Sequence, residues 1–364
     1  MHTRGLIVIA AMYLAPKLAS ASCIHGTSLF PRSSPNVKVS TFGYTGLKGP
    51  LNWAGLSPEF KACATSSVQS PINIDDTVHL ARSAPKVDIP SVKAAEFANL
   101  GTTIEVVVNG TTEFAGSKFA LKQFHFHTPS EHRVAEEYFP LEIHMVHEAT
   151  SYISPSLFIS QPPFTPMASY TRSPNQAWRG TDGSGGIVVI ALTFQLSENS
   201  TTPLLTSVIQ NLSSITTPGA STETGPLDFS QVIKHIQTTP LFQYSGSLTT
   251  PPCAEGLTFL VTKIPLPLNV RTFNAIKAVV KFNSRYTQNT LAQQNLVVVG
   301  ALTLAGNGAR NGTRAGAGNG TAVAKPTLGA YPSPNKLVIS TRKTDAMGTS
   351  TNVANPTPQH RGGW

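Results

Sequence analysis

The chain has 364 residues, enough for one large domain or two small ones, and 40% of them are hydrophobic, so a substantial core can form. Only 12% are charged, and 28 Gly with 28 Pro favour strands and turns over long helices. The net charge of +9 sits at the ends: seven Lys/Arg against one Asp follow Ala301, Arg4 and Lys17 add two, and only +1 is left for the body, with no basic run interleaved with aromatics, which argues against a nucleic-acid partner.

Residues 1–21 read as a secretory leader. Arg4 supplies the positive start, Gly5 to Ala15 the apolar run, and Ala19-Ser20-Ala21 the small-residue cleavage site. That run is too short to span a bilayer, no later segment is long and apolar enough, and the C-terminus lacks the apolar tail of a lipid-anchor signal. The expectation is a secreted, extracellular protein with no membrane span, in which disulfides can form. Of the three cysteines, Cys63 and Cys253 lie in the body and Cys23 beside the cleavage site, so pairing two leaves one over. Asn-x-Ser/Thr sites occur at Asn109, Asn199, Asn211, Asn311 and Asn319. Asn199 and Asn211 have polar surroundings and are the glycosylation candidates, whereas Asn109 ends a strand-like run.

Residues 22–41 read as a loose lead-in, and residues 42–300 as the body. The body carries short β-branched runs bounded by Gly, Pro, Asn or Ser: "TIEVVVNG", "KQFHFHT", "LEIHMVH", "GIVVIALTFQL", "GLTFLVTKIPL" and "NLVVVG". Helical periodicity is confined to "TPLLTSVIQNLSSI", "PLDFSQVIKHI" and "VRTFNAIKAVVKF". A large mainly-β domain with a few surface helices follows. Residues 301–364 are rich in Gly, Asn, Ala and Thr without period, and read as a low-complexity tail that cannot bury enough apolar surface to fold alone.

The chemistry concentrates in three stretches. In "QFHFH" alternation places Gln123, His125 and His127 on one strand face and Phe124 and Phe126 on the other. In "EIHMVH" it places Glu142 with His144, opposite Ile143 and Met145. If the two strands pair, three imidazoles converge, and three neutral imidazoles with one open position form a catalytic zinc arrangement. Gln123 and Glu142, each two residues before a histidine, are placed to fix its tautomer. His132 and His147 lack the phase of the trio and read as structural. In "YSGSLTTPPCAEG" the hydroxyl of Thr249 could orient a nucleophile beside the metal, with Glu131 accepting that hydroxyl's own proton.

"QSPINI", "QFHFHTPSEHR", "EIHMVH" and "YSGSLTTPP", in this order, resemble the α-class carbonic anhydrases of secreted type. "FGYTGLKGPLNWAGL" and "NSRYTQ" are similar to further family segments, and the resemblance covers Phe42 to Gly300. It implies a large, mostly antiparallel twisted β-sheet with a few peripheral helices. It implies reversible hydration of carbon dioxide to bicarbonate and a proton by hydroxide on Zn2+, a lyase reaction on a small molecule. The metal ligands would be His125, His127 and His144. Thr249 and Glu131 would be catalytic, with Gln123, Glu142 and the backbone of Asn283 as acceptors behind the imidazoles. Val146, Val189, Leu248 and Leu257 would line the carbon dioxide pocket, with Thr250 on its polar side near Tyr44. Cys63 and Cys253 would match the disulfide of secreted members.

Two departures from the family pattern stand out. The position of the proton-shuttling histidine, after "NG", is Thr111, which cannot relay a proton at neutral pH, so a slower, buffer-dependent enzyme is expected. Phe259 stands beside the pocket where the family usually has Trp. The alternatives are a catalytically silent carbonic anhydrase-like binding protein, which retention of all three histidines disfavours, and a zinc esterase.

Overall fold

The computed structural model describes residues 22–28, 31–32, 37–150 and 186–303. These belong to the first of two compact units, Met1–Thr313, the second being Arg314–Trp364. The expected leader at 1–21, residues 304–364 of the expected tail, and Asn311 and Asn319 lie outside the described residues.

Strands β1 (Asn73–Ile74), β2 (Lys86–Asp88), β3 (Glu96–Asn99), β4 (Ile104–Val107), β5 (Gly110–Phe114), β6 (Ser117–His127), β7 (Arg133–Val134), β8 (Glu137–Tyr138) and β9 (Leu141–Ala149) come first. They are followed by β10 (Ile187–Leu196), β11 (Ser221–Glu223), β12 (Leu241–Ser247), β13 (Glu255–Thr262) and β14 (Leu266–Leu268). Eleven of them form one sheet along the path β11-β3-β4-β6-β9-β10-β13-β12, with β5 on β6, β2 on β5 and β14 on β10. The pairing is antiparallel except where β10 meets β13 and β14. The expected mainly-β fold on a mostly antiparallel sheet is what the chain adopts.

Helices are few and peripheral: α1 (Trp53–Leu56), α2 (Ala62–Thr65), α3 (Pro203–Val208), α4 (Ser230–Thr238) and α5 (Val270–Val280). All three helical stretches expected from periodicity are helical. In α4, Val232 and Ile236 fall four apart and bury the same stripe. The Asn269 side chain accepts the Thr272 N–H at 2.8 Å and starts α5.

One expected strand is not a strand. "NLVVVG" is helical, within a helix over 296–303. A run so short carries no period that separates strand from helix. The Asn295 side chain decides, accepting the Val297 N–H at 3.0 Å as a helix cap.

The sheet has two faces with different contents. One packs Phe124, Phe126, Ile143, Met145, Val188, Ile190 and Leu192 beneath α3, α4 and α5 as the main core. Each fully buried Phe or Leu there contributes about 1.5–3 kcal/mol. The other face carries a smaller apolar cluster of Val146, Val189, Leu248, Leu257 and Phe259, beside the histidines. A register shift between Leu121 and Gln123 marks a bulge at Lys122. Leu121 and Phe119 belong to the main core, as do Phe124 and Phe126, so the extra residue reverses the phase. Gln123, His125 and His127 thereby turn to the second face, a frequent use of bulges beside functional sites.

His147 lies on β9, buried, its Nδ1 2.9 Å from the Met145 carbonyl and its Nε2 without a partner. The structural reading of His147 fits this placement away from the trio. A disulfide joins Cys63 to Cys253 across 190 residues, and Cys23 is free and buried.

Two stability tests follow from this architecture. The double change Cys63→Ser/Cys253→Ser is expected to cost about 2–5 kcal/mol, because the lost link closed a long loop of the unfolded chain. The urea midpoint should fall and the slope should rise, since the unlinked chain exposes more surface on unfolding, and an unmoved midpoint would show the link contributes nothing. Burial lowers the His147 pKa to about 4. The unfolded chain, with its imidazole near 6.5, therefore takes up this proton first, and stability present above that pH is lost as pH falls toward 4, by on the order of 3 kcal/mol. His147→Leu should flatten this part of the curve of unfolding free energy against pH, and an unchanged slope would refute the assignment.

Candidate metal centre and substrate pocket

Register builds the trio. His125 on β6 sits directly opposite His144 on β9, and His127 opposite Glu142. All three histidines are buried, at 1% exposure each. One nitrogen of each lies within 4.8 Å of the others, close enough to share one ion.

The acceptors behind the rings settle which nitrogen faces inward. His125 Nδ1–H donates to Gln123 Oε1 at 2.9 Å. His127 Nδ1–H donates to the Asn283 carbonyl at 3.0 Å. His144 Nε2–H donates to Glu142 Oε1 at 2.6 Å. A neutral imidazole that donates from one nitrogen presents a lone pair on the other. Nε2 of His125, Nε2 of His127 and Nδ1 of His144 are therefore the inward atoms. The first two are buried without any hydrogen-bond partner. Buried polar atoms are rarely left so, and a cation at the shared point would satisfy both at once. Burial holds the pKa of His125 well below the ordinary value, and that of His127 below it, which keeps both rings neutral as ligands must be. The residues fit a zinc ion bound by three imidazoles.

Glu142 anchors this geometry. Its Oε2 accepts the backbone N–H of Glu131 at 3.0 Å and of His132 at 2.9 Å, while Oε1 also meets His132 Nδ1 at 2.6 Å. Burial alone would raise its pKa, yet the imidazoles of His132 and His144 hold it well below the carboxylate range. The His132 ring continues to the Tyr244 hydroxyl at 2.6 Å. His132 thus has a definite place in the site, as a support for Glu142, that its phase relative to the trio did not reveal.

Glu131 lies beside the trio, with Oε2 3.5 Å from His127 Nε2 and 4.0 Å from His144 Nδ1. Its Oε1 accepts the Arg285 N–H at 2.9 Å. The expected bond from Thr249 to Glu131 is not made among the described residues, and Oε2 has no partner. The Thr249 hydroxyl instead lies 3.2 Å from the Cys23 thiol. Arg285 is a further residue that sequence reasoning missed. It is fully buried and donates to the Ser70 carbonyl at 2.7 Å and to Gln69 Oε1 at 2.9 Å, so it ties "QSPINI" to the segment that carries Asn283, while its backbone N–H holds Glu131. A lone Arg in "NSRYTQ" was the only signal.

The structure brings the expected wall residues together in one place. Val146, Val189, Leu248, Leu257 and Phe259 line one pocket with His125, His144 and Thr249. Phe259 stacks on Tyr244 at 5.1 Å and meets His144 edge-on at 5.8 Å. Thr250, also expected there, is buried but does not line this pocket; its hydroxyl lies 2.8 Å from the Cys23 thiol. Tyr44 packs edge-on against Trp53 at 5.6 Å, and burial with the Glu131 charge raises its pKa well above the usual value. Thr111 is exposed on β5, opposite Asp88 and Ala120. Asn199 is exposed, whereas Asn211 is half-buried and donates to the Glu223 carbonyl at 2.8 Å.

The lead-in is not loose where it is described. Ser22–Ile24 forms a 3-10 turn, and Cys23 and Ile24 are buried against the second face of the sheet. Cys23 lines the same pocket as His125 and His144, and burial with the nearby Glu131 charge pushes its thiol up to about 11.

The chain is similar to known proteins over this same region. The family described as "Eukaryotic-type carbonic anhydrase" matches residues 48–163 and 166–297. A carbonic anhydrase of Pectobacterium atrosepticum is 30% identical over 242 residues, 65% of this chain and 82% of that protein. One from Neisseria gonorrhoeae is 33% identical over 227 residues, 61% of this chain and 73% of that protein. The solved structure of a fungal alpha carbonic anhydrase from Aspergillus oryzae is 38% identical, covers 71% of this chain and 98% of its own, and superposes with a TM-score of 0.60. Ordered motifs, sheet and histidine trio agree with this match, and the chain belongs to the eukaryotic-type, α-class carbonic anhydrase family, enzymes that hydrate carbon dioxide.

Proposed function

We propose that this enzyme hydrates carbon dioxide with zinc held by His125, His127 and His144. The observation that carries the reading is the pair of buried, unpartnered Nε2 atoms on His125 and His127, aimed at the same point as His144 Nδ1. Bound there, zinc would lower the pKa of a water ligand to about 7 and so supply hydroxide at neutral pH.

The chain's own residues do the rest. Gln123, Glu142 and the Asn283 carbonyl hold the three rings in the metal-binding tautomer. Val146, Val189, Leu248 and Leu257 offer carbon dioxide an apolar wall and keep bulk water off it. Thr249 accepts the hydrogen bond of the attacking oxygen and turns its lone pair toward the carbon. The unpartnered Oε2 of Glu131 is the acceptor available for the Thr249 proton once that hydroxyl leaves Cys23. Phe259 and Tyr244 pack behind His144 and limit its movement. Thr111 has no titratable group at neutral pH, so proton release depends on external buffer and turnover is slower than with an imidazole there. A disulfide and the absence, among the described residues, of any helix long and apolar enough to cross a membrane fit a secreted protein, with Asn199 the better placed glycosylation acceptor.

Stopped-flow hydration of carbon dioxide tests this reading. Activity should vanish on removal of zinc by a chelator and return on its replacement, and hydration by protein with no bound metal would overturn it. Thr249→Ala should lower kcat/KM by about 10²-fold, the scale of one lost positioning hydrogen bond at a reacting oxygen, with the zinc content unchanged. Added imidazole should raise turnover, and Thr111→His should raise it by about tenfold or more in dilute buffer, within the range of positioned proton transfer. Turnover insensitive to both would remove Thr111 from the argument.

A further inference from the structure

The segment carrying Cys23, His25, Ser28 and Arg32 lies against the pocket of the histidine trio, and its contacts go to polar groups on the strands β4, β6 and β9 around it. Gln123 Nε2 donates to the Cys23 carbonyl at 3.1 Å. The Cys23 N–H donates to the Thr250 hydroxyl at 3.4 Å, and the thiol lies between the hydroxyls of Thr249 and Thr250, 3.2 and 2.8 Å away. Glu105, buried and directly opposite His125 in the sheet, is engaged by His25 Nδ1 at 3.0 Å and by Arg32 Nη2 at 2.9 Å. Ser28 bonds the Glu148 carboxylate through its N–H at 3.0 Å and through its hydroxyl.

The space left in the pocket is about 10 Å³, room for about one water molecule. Cys23 lines this pocket together with His125, whose Nε2 is buried and unpartnered, so the thiol is packed against the site and not only against the apolar core. The thiol also occupies the Thr249 hydroxyl, the group assigned above to the attacking oxygen.

We propose that this segment is a built-in plug: with Cys23 seated the substrate pocket is closed, and the enzyme works only in the fraction of molecules whose segment has swung out. The proposal rests on the carbonic anhydrase reading of the same site and adds a means of regulating it. The plug is held by two carboxylates, Glu105 and Glu148, neither of them assigned to the reaction. Anything that pulls the segment away, such as a protein that binds it or a protease that cuts it, would raise activity without touching the trio.

The test uses the full chain, loaded with zinc or with cobalt(II), and the variant His25→Ala/Arg32→Ala, which weakens the hold on Glu105 and leaves the reaction machinery alone. Three quantities are read: the rate of Cys23 alkylation by iodoacetamide, followed by mass spectrometry; the Kd of thiocyanate, followed by the visible spectrum of the cobalt protein; and kcat/KM for hydration. If the open form is about a tenth of the population, opening the plug tightens apparent binding by about tenfold. The expected result is slow alkylation of the native protein relative to the urea-unfolded chain, about tenfold faster alkylation in the variant, about tenfold tighter thiocyanate, and a matching rise in kcat/KM. Cys23→Gly, which empties the pocket while keeping the segment, should tighten thiocyanate as well. Alkylation of the native protein at the unfolded rate, or thiocyanate affinities unchanged in both variants, would overturn the plug. Protected Cys23 and the expected thiocyanate shift in protein that hydrates no carbon dioxide in any form would uphold the plug and sink the carbonic anhydrase reading.

Discussion

The hydrogen bond behind each imidazole is the constraint on which the site depends. A neutral histidine can donate from either nitrogen, and only one choice leaves the lone pair pointing at the common centre. Gln123, the Asn283 carbonyl and Glu142 make that choice three times. With Cys23 seated, none of the three is free to turn away. Gln123 is held by its own donation to the Cys23 carbonyl, Asn283 by its side-chain bonds to the Phe126 and Thr102 carbonyls, and Glu142 by two backbone N–H groups and His132. The cost of desolvating Glu142 and three imidazoles is offset by these bonds and would be offset further by a divalent ion. Bonds that hold the rings independently of the metal limit the loss of entropy on binding.

The sheet supplies this rigidity by keeping its two jobs on separate faces. Phe124 and Phe126 alternate with His125 and His127, so the core clamps the strand from below while the ligands stand above. The bulge at Lys122 makes this possible, because Phe119 and Leu121 already use the core face with the opposite phase. Without the extra residue, Gln123 and both histidines would point into the core. A single added residue therefore decides whether the strand carries a site at all.

Much of this was legible in the sequence because it follows from period two. Alternation alone separates His125, His127 and His144 from Phe124, Phe126, Ile143 and Met145, and polar residues two before a histidine mark the acceptors. The bulge was not legible, since nothing in "ALKQFHF" names the residue that steps out of register. Neither was His132, whose role comes from a carboxylate ten residues away, nor Arg285, whose side-chain partners lie more than two hundred residues earlier. "NLVVVG" misled because β-branched residues favour strands only where a neighbouring strand exists to pair with, and a side-chain cap at Asn295 outweighs that preference.

The lead-in shows a different limit. Its sequence has neither period nor length to announce structure, and its order comes entirely from where it docks: Cys23 and Ile24 bury against the apolar wall, and His25, Ser28 and Arg32 reach two carboxylates. The segment contributes none of the strands named among the described residues, and its buried Cys23 and Ile24 belong to the smaller apolar cluster, so its release leaves the main core untouched. A part that docks through a few side chains opens at a smaller cost than any strand of the sheet, which is the physical condition for a local opening that the rest of the fold survives. The same geometry that orders Cys23 therefore also makes it removable, and it sets that removable part against the pocket lined by His125 and His144.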